Sequence, residues 1–156
     1  MKFNLFKKIT DIEKNYTTYA VGLLQDKAYR ILKSHTALLL KEFDISTNDW
    51  ALLGYLSGED QGVRPSVLSY ILGVEAPFIT TQVTHLEKKG YVTSGIDKDD
   101  TRAKRIILTK SGMLFVEKTE KYLREGTKPL LEGIPALDIY KYIKVLRGII
   151  SNGIKD

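Results

Sequence analysis

Three side chains able to pair with phosphate, Arg102, Lys104 and Arg105, fall within four residues of one another. They sit in Gly95-Ile96-Asp97-Lys98-Asp99-Asp100-Thr101-Arg102-Ala103-Lys104-Arg105-Ile106-Ile107-Leu108-Thr109, a tight charged loop between two β-forming runs. Guanidinium and ammonium groups donate charged hydrogen bonds to phosphate, and an Arg suits the negative potential of a narrow DNA minor groove. Lys104 and Arg105 can bind phosphates, which gives affinity without sequence information, although a plain solvated role suits them equally well. Arg102 can also be a surface residue paired with Asp99 or Asp100. Asp100 is better suited to buttressing Arg102 or the loop than to facing phosphate, which would repel it.

The elements around this loop position it. Directly upstream, a helix with Pro77 at its first turn ends at Leu86-Glu87-Lys88-Lys89-Gly90. Ile79, Val83 and Leu86 share its core face, which leaves Pro77, Thr80, Thr81, Thr84, His85 and Lys88 on other faces. Thr81 and the nearby Gln82 can hydrogen-bond base edges or phosphates, and Thr methyls can touch thymine methyls. Phe78 suits a core staple better than a groove contact. A short helix from Ser66 to Leu72, preceded by Arg64-Pro65 and ended by Gly73, completes a helix-turn-helix. Val63 and Arg64 suit a short extended piece. The runs Tyr91 to Ile96 and Arg105 to Thr109 then pair as a hairpin wing.

Upstream, Ser46-Thr47-Asn48-Asp49 is a run of capping residues that starts a helix near Thr47. Before it, Tyr16 to about Phe43 is predicted as one long helix. Its apolar lines, Ala20-Leu24-Ala28-Ile31-His35-Leu38 and Leu23-Leu32-Leu39, require cover from two directions, one of them a partner chain. Phe3, Phe6, Ile9 and Ile12 predict a short amphipathic helix before that. Thr109 caps a helix that ends near Gly126 and Pro129, and a last helix covers Ala136 to Ile150. The expected fold is mainly α with a small β-hairpin wing, in a single domain over 1–156.

Composition narrows the function. The net charge is +5. Between Lys88 and Lys110, seven Lys or Arg face three Asp, so the positive excess gathers around the hairpin. With no cysteine in the chain, thiol catalysis and Cys-based zinc or redox sensing are excluded. The sequence has no Gly-rich phosphate loop, HExxH or GxSxG, so no enzyme and no cofactor are expected. His35 and His85 should lie in different parts of the fold, so no metal site is expected. The N-terminus lacks a signal-peptide core, and Ala37-Leu38-Leu39-Leu40 is far too short to span a bilayer, which fits a cytoplasmic protein without membrane contact.

Val63 to Gly112 resembles the MarR family of transcriptional regulators. The resemblance rests on Leu68-Ser69 and Leu72-Gly73-Val74, on Leu86-Glu87-Lys88-Lys89-Gly90-Tyr91-Val92, and on Asp100-Thr101-Arg102 followed by Leu108-Thr109-Lys110-Ser111-Gly112. Trp50 and Leu53 take the family's second-helix positions. The resemblance implies a winged helix-turn-helix over 46–110, with 1–45 and 111–156 forming the helical dimerisation part of a homodimer. Such a dimer binds double-stranded DNA at a pseudo-palindromic operator, with half-sites about one helical turn apart, most often as a repressor. Arg64 and Ser66 would approach the DNA backbone. A small-molecule effector would sit near the first, second and fifth helices, where His35, Trp50, Tyr55 and Phe115 could line a cavity, although all four serve equally well as core. Pro77 and Thr81 depart from the Arg or Ser that many members carry, which leaves the operator sequence open. The alternative is a winged-helix protein-interaction or architectural module without effector response.

Overall fold

The computed structural model describes residues 18–96 and 104–154. The order is α1 (Thr18–Leu40), a 3-10 turn (Lys41–Phe43), α2 (Thr47–Leu56), α3 (Pro65–Leu72), α4 (Ala76–Lys88), β1 (Val92–Ile96), β2 (Lys104–Leu108), α5 (Lys110–Thr127), a second 3-10 turn (Lys128–Leu131) and α6 (Ala136–Gly153). The fold is mainly helical with one two-stranded hairpin, as the sequence pattern predicts. The helix expected around Phe3 to Ile12 lies outside the described residues, and so do Asp100 and Arg102.

Local chemistry sets the boundaries. The 3-10 turn after α1 ends at Asp44 in the left-handed region (φ 52°). α2 opens with a capping box: Asp49 N–H donates to Ser46 Oγ at 3.0 Å, and Ser46 N–H donates to Asp49 Oδ2 at 2.9 Å. Pro65 occupies the first turn of α3, and Gly73 (φ 62°) ends it. Only Gly73-Val74-Glu75 separates α3 from α4, so the two helices meet as a tight helix-turn-helix.

The hairpin is antiparallel, with Val92 opposite Leu108 and Ile96 opposite Lys104. Val63 adds an edge to it by exchanging two backbone hydrogen bonds with Ile106 at 2.9 and 2.8 Å, which is the extended piece expected there. Gly62 (φ +71°) makes this approach possible, because a Cβ would lie 2.6 Å from the Ile106 carbonyl oxygen.

The core lies within the winged helix. Leu40, Leu52, Leu53, Leu56, Leu68, Ile79 and Leu86 are fully enclosed, and Val63, Val92 and Ile106 close it from the hairpin side. α5 contributes Leu123, while α6 has no buried residue and exposes Leu137, Tyr140, Ile143, Val145, Ile149 and Ile150. The apolar lines of α1 are also largely uncovered, with Leu23, Ile31, Leu32 and Leu38 exposed.

One junction joins the hairpin, α4 and α5. Thr109 Oγ1 accepts from the Gly112 N–H at 3.0 Å, capping α5, and donates to the Gly90 carbonyl at 2.7 Å. Gly112 is pressed so closely on the Tyr91 carbonyl that a Cβ has no room. Gly112→Ala is therefore expected to lower the unfolding free energy by about 2–3 kcal/mol, measured by urea denaturation.

Candidate nucleic-acid interface

α4 buries Ile79, Gln82, Val83 and Leu86 on one face. The remaining positions, including Pro77, Thr80, Thr81, Thr84, His85 and Lys88, are exposed. Two expectations need correction. Phe78 is 43% exposed rather than a core staple, because Ile79, the next residue along the helix, takes the inward direction. Gln82 is 5% exposed, and its Nε2 points to Asp49 Oδ1 at 3.4 Å, so it is not available to a base or phosphate. The threonine hydroxyls fold back on the helix: Thr80 donates to the Ala76 carbonyl (3.2 Å), Thr81 to that of Pro77 (3.2 Å) and Thr84 to that of Thr80 (2.9 Å).

A polar stripe along the side of α4 meets the corner between α1 and α2. The buried Asp49 carboxylate accepts from Ser46 Oγ at 2.7 Å as well as from the Gln82 amide, and its Oδ2 lies 3.8 Å from His85 Nδ1. One turn further on, Lys89 Nζ donates to Asp44 Oδ2 at 2.7 Å. That hydrogen bond, with the Lys89 charge behind it, holds the Asp44 carboxyl below the usual carboxylate range. Gln82, His85 and Lys89 share one side of the helix by their spacing, and Asp44 and Asp49 face them from a single short segment. This clamp is absent from the sequence reading. The i, i+3, i+7 spacing of polar residues on α4 was visible, but their partners lie more than thirty residues away.

Around the hairpin, Lys104 is exposed. Arg105 is half-buried, and its Nη1 donates to the Gly62 carbonyl at 3.0 Å, which helps hold the Val63 edge in place. Arg64 is half-buried at the start of α3, and Ser66 is exposed in its first turn.

Of the residues expected to line an effector cavity, Trp50, Tyr55 and Phe115 pack on the same core and His35 lies apart from them. Trp50 and Tyr55 are half-buried against the core. Phe115 stacks on Tyr91 (centroids 4.0 Å apart, planes 20°) and meets Phe43 edge-on at 5.8 Å. His35 Nε2 lies 2.8 Å from the Gly126 carbonyl oxygen, at the far end of α5. At 1.5 Å per residue, that end is roughly 16 Å along the helix from Phe115. His35 instead lines an open cleft of about 800 Å³ with Lys27, Arg30, Ile31, Ser34, Leu38 and Leu130. Among the described residues no cluster of His, Asp or Glu could hold a metal ion, and no helix is long and apolar enough to cross a membrane.

Two measurements test the clamp. Asp49→Ala removes the carboxylate half of the α2 capping box and orphans the Gln82 amide, and should cost about 3 kcal/mol in urea denaturation. Because the Asp44 pKa is lowered in the folded state, its contribution is present above the ordinary carboxylate pKa and lost as pH falls through the lowered value. Acid titration of Asp44→Asn should therefore show a shallower loss of stability below about pH 4 than the parent protein.

The MarR family model matches residues 43–103, from the 3-10 turn through α2, α3, α4 and into the hairpin loop. Solved structures share the arrangement over most of the chain. MepR of Staphylococcus aureus in its DNA-binding conformation is 25% identical, with a TM-score of 0.71 over 87% of this chain and 98% of that one. The S. aureus MepR–DNA complex is 24% identical, with a TM-score of 0.67 over 84% and 96% of the respective chains. CouR of Rhodococcus jostii RHA1, crystallised bound to p-coumaroyl-CoA, is 20% identical, with a TM-score of 0.75 over 83% of this chain and 90% of that one. The helix-turn-helix with its hairpin, the family match across residues 43–103 and this shared arrangement show that the chain has a winged helix-turn-helix fold similar to that of the MarR family.

Proposed function

We propose that this protein is a homodimeric, sequence-specific DNA-binding regulator that represses transcription by occupying a pseudo-palindromic operator. The observation that carries the reading is α4 itself, exposed from Pro77 to Lys88 along one face and followed directly by the hairpin. In this reading α4 enters the major groove and the hairpin tip, with Arg102 supported by Asp100, reaches the neighbouring minor groove. Arg64, Ser66, Lys104 and Arg105 flank α4 as phosphate contacts, while His85 and Lys88 border its outer face. The solved complex of MepR with DNA supports DNA as the partner.

The dimer follows from uncovered apolar surface. α6 has no buried residue, and an isolated helix of its length is marginal in water. Each large side chain it exposes stands to gain about 1.5–3 kcal/mol from full burial. A second copy, covering α6, α1 and the outer face of α5, supplies that burial. Such a dimer presents two α4 helices to half-sites about one helical turn apart and acts in the cytoplasm. The p-coumaroyl-CoA bound to CouR supports a small-molecule effector here too, which must favour one spacing of the two α4 helices over another.

Site selection from random duplexes is expected to return an inverted repeat bound with a steep salt dependence. Arg102→Ala should weaken binding and reduce the salt slope by about 1. An enriched site without symmetry, or no salt-dependent duplex binding, would sink the reading. For the dimer, Ile143→Asp with Ile150→Asp should shift the protein to monomer or unfolded chain in analytical ultracentrifugation.

A further inference from the structure

We propose that the outer face of α4 reads thymine methyl groups, so that each operator half-site presents A·T pairs, and not guanines, to this helix. The inference rests on the DNA-binding reading above and narrows it to a class of sequence.

The side chains on that face determine what it can recognise. In the major groove guanine offers N7 and O6, best matched by a forked Arg or by Lys, and adenine offers N7 and N6, best matched by Asn or Gln. From Ala76 to Lys88 there is no Arg and no Asn. The one Gln, Gln82, is buried and turned to Asp49. His85 stands beside Asp49 at 3.8 Å. Glu87 accepts a hydrogen bond from Ser94 of β1 and repels phosphate. Lys88 is the only Lys on the helix and sits at its last position, one turn beyond Thr84.

What remains outward is apolar. Pro77 presents its ring and Phe78 an exposed phenyl. Thr80, Thr81 and Thr84 have given their hydroxyl protons to carbonyls one turn back, which leaves the γ-methyl as the exposed group of each. Thymine alone among the bases presents a methyl in the major groove, and Thr methyl and Phe are side chains that contact it. Burying one methyl is worth roughly fourfold in affinity.

The test uses the full-length protein and a duplex selected from a random library. Each thymine under α4 is replaced by deoxyuridine, which removes the 5-methyl and keeps the base pair. Affinity is expected to fall about fourfold per methyl, while the same replacement outside the half-sites changes nothing. Thr81→Ser keeps the hydroxyl and removes the γ-methyl. It should lose affinity on the thymine duplex and lose little more on the deoxyuridine duplex, and Thr80→Ser and Thr84→Ser repeat the measurement at the neighbouring positions. Half-sites that select guanine under α4, or salt-dependent binding indifferent to deoxyuridine, overturn this inference and leave the DNA-binding reading standing. Binding to no duplex at all overturns both.

Discussion

Tyr91 is the point on which the rest of the structure depends. Its N–H closes the end of α4 on the Leu86 carbonyl at 3.0 Å, just after Gly90 turns the chain with φ 75°. Its carbonyl accepts from the Thr109 N–H at 3.0 Å, where the hairpin returns, and rests on Gly112 at the start of α5. Its ring stacks on Phe115, which in turn meets Phe43 in the 3-10 turn after α1. α4, the hairpin, α5 and the 3-10 turn after α1 are thus held to one residue by backbone bonds on one side and ring packing on the other. The small residues around it are explained by that crowding: a side chain at Gly112 would separate the wing from α5.

The apolar surface is divided unequally between the two parts of the chain. The winged helix encloses most of its own Leu, Ile and Val side chains, whereas α1, α5 and α6 together leave most of theirs in solvent. Where α1 and α5 do meet, they approach closely. A Cβ on Gly126 would lie 2.6 Å from Leu39, and His35 bonds the Gly126 carbonyl one turn earlier on α1. A self-sufficient core on one side and an uncovered apolar helix bundle on the other are what a two-copy assembly requires of each copy.

The Asp44 to Asp49 corner links these halves. It begins where α1 ends and holds α4 by Gln82, His85 and Lys89. Charged and hydrogen-bonded contacts thus tie the segment after α1 to α4.

By itself the sequence determined every element that depends on near neighbours. Pro65 and Pro77 start helices, Gly73 and Gly90 end them, Ser46 and Thr109 cap, and Ile79, Val83 and Leu86 mark an inward face, because each of these effects acts over one helical turn. The family pattern in Leu108-Thr109-Lys110-Ser111-Gly112 was legible for the same reason, although its cause, the Tyr91 carbonyl, was not. Tertiary structure alone decided the direction of Gln82 and Phe78, since both lie beside the inward stripe and only the presence of Asp49 and Ile79 assigns them. It also separated His35 from Phe115, which the family resemblance had placed in one cavity, because helix length spreads apart residues that adjacency of elements unites on paper. Long-range pairing leaves no period in a sequence, and for that reason the clamp on α4 and the Val63 edge of the wing became visible only in three dimensions.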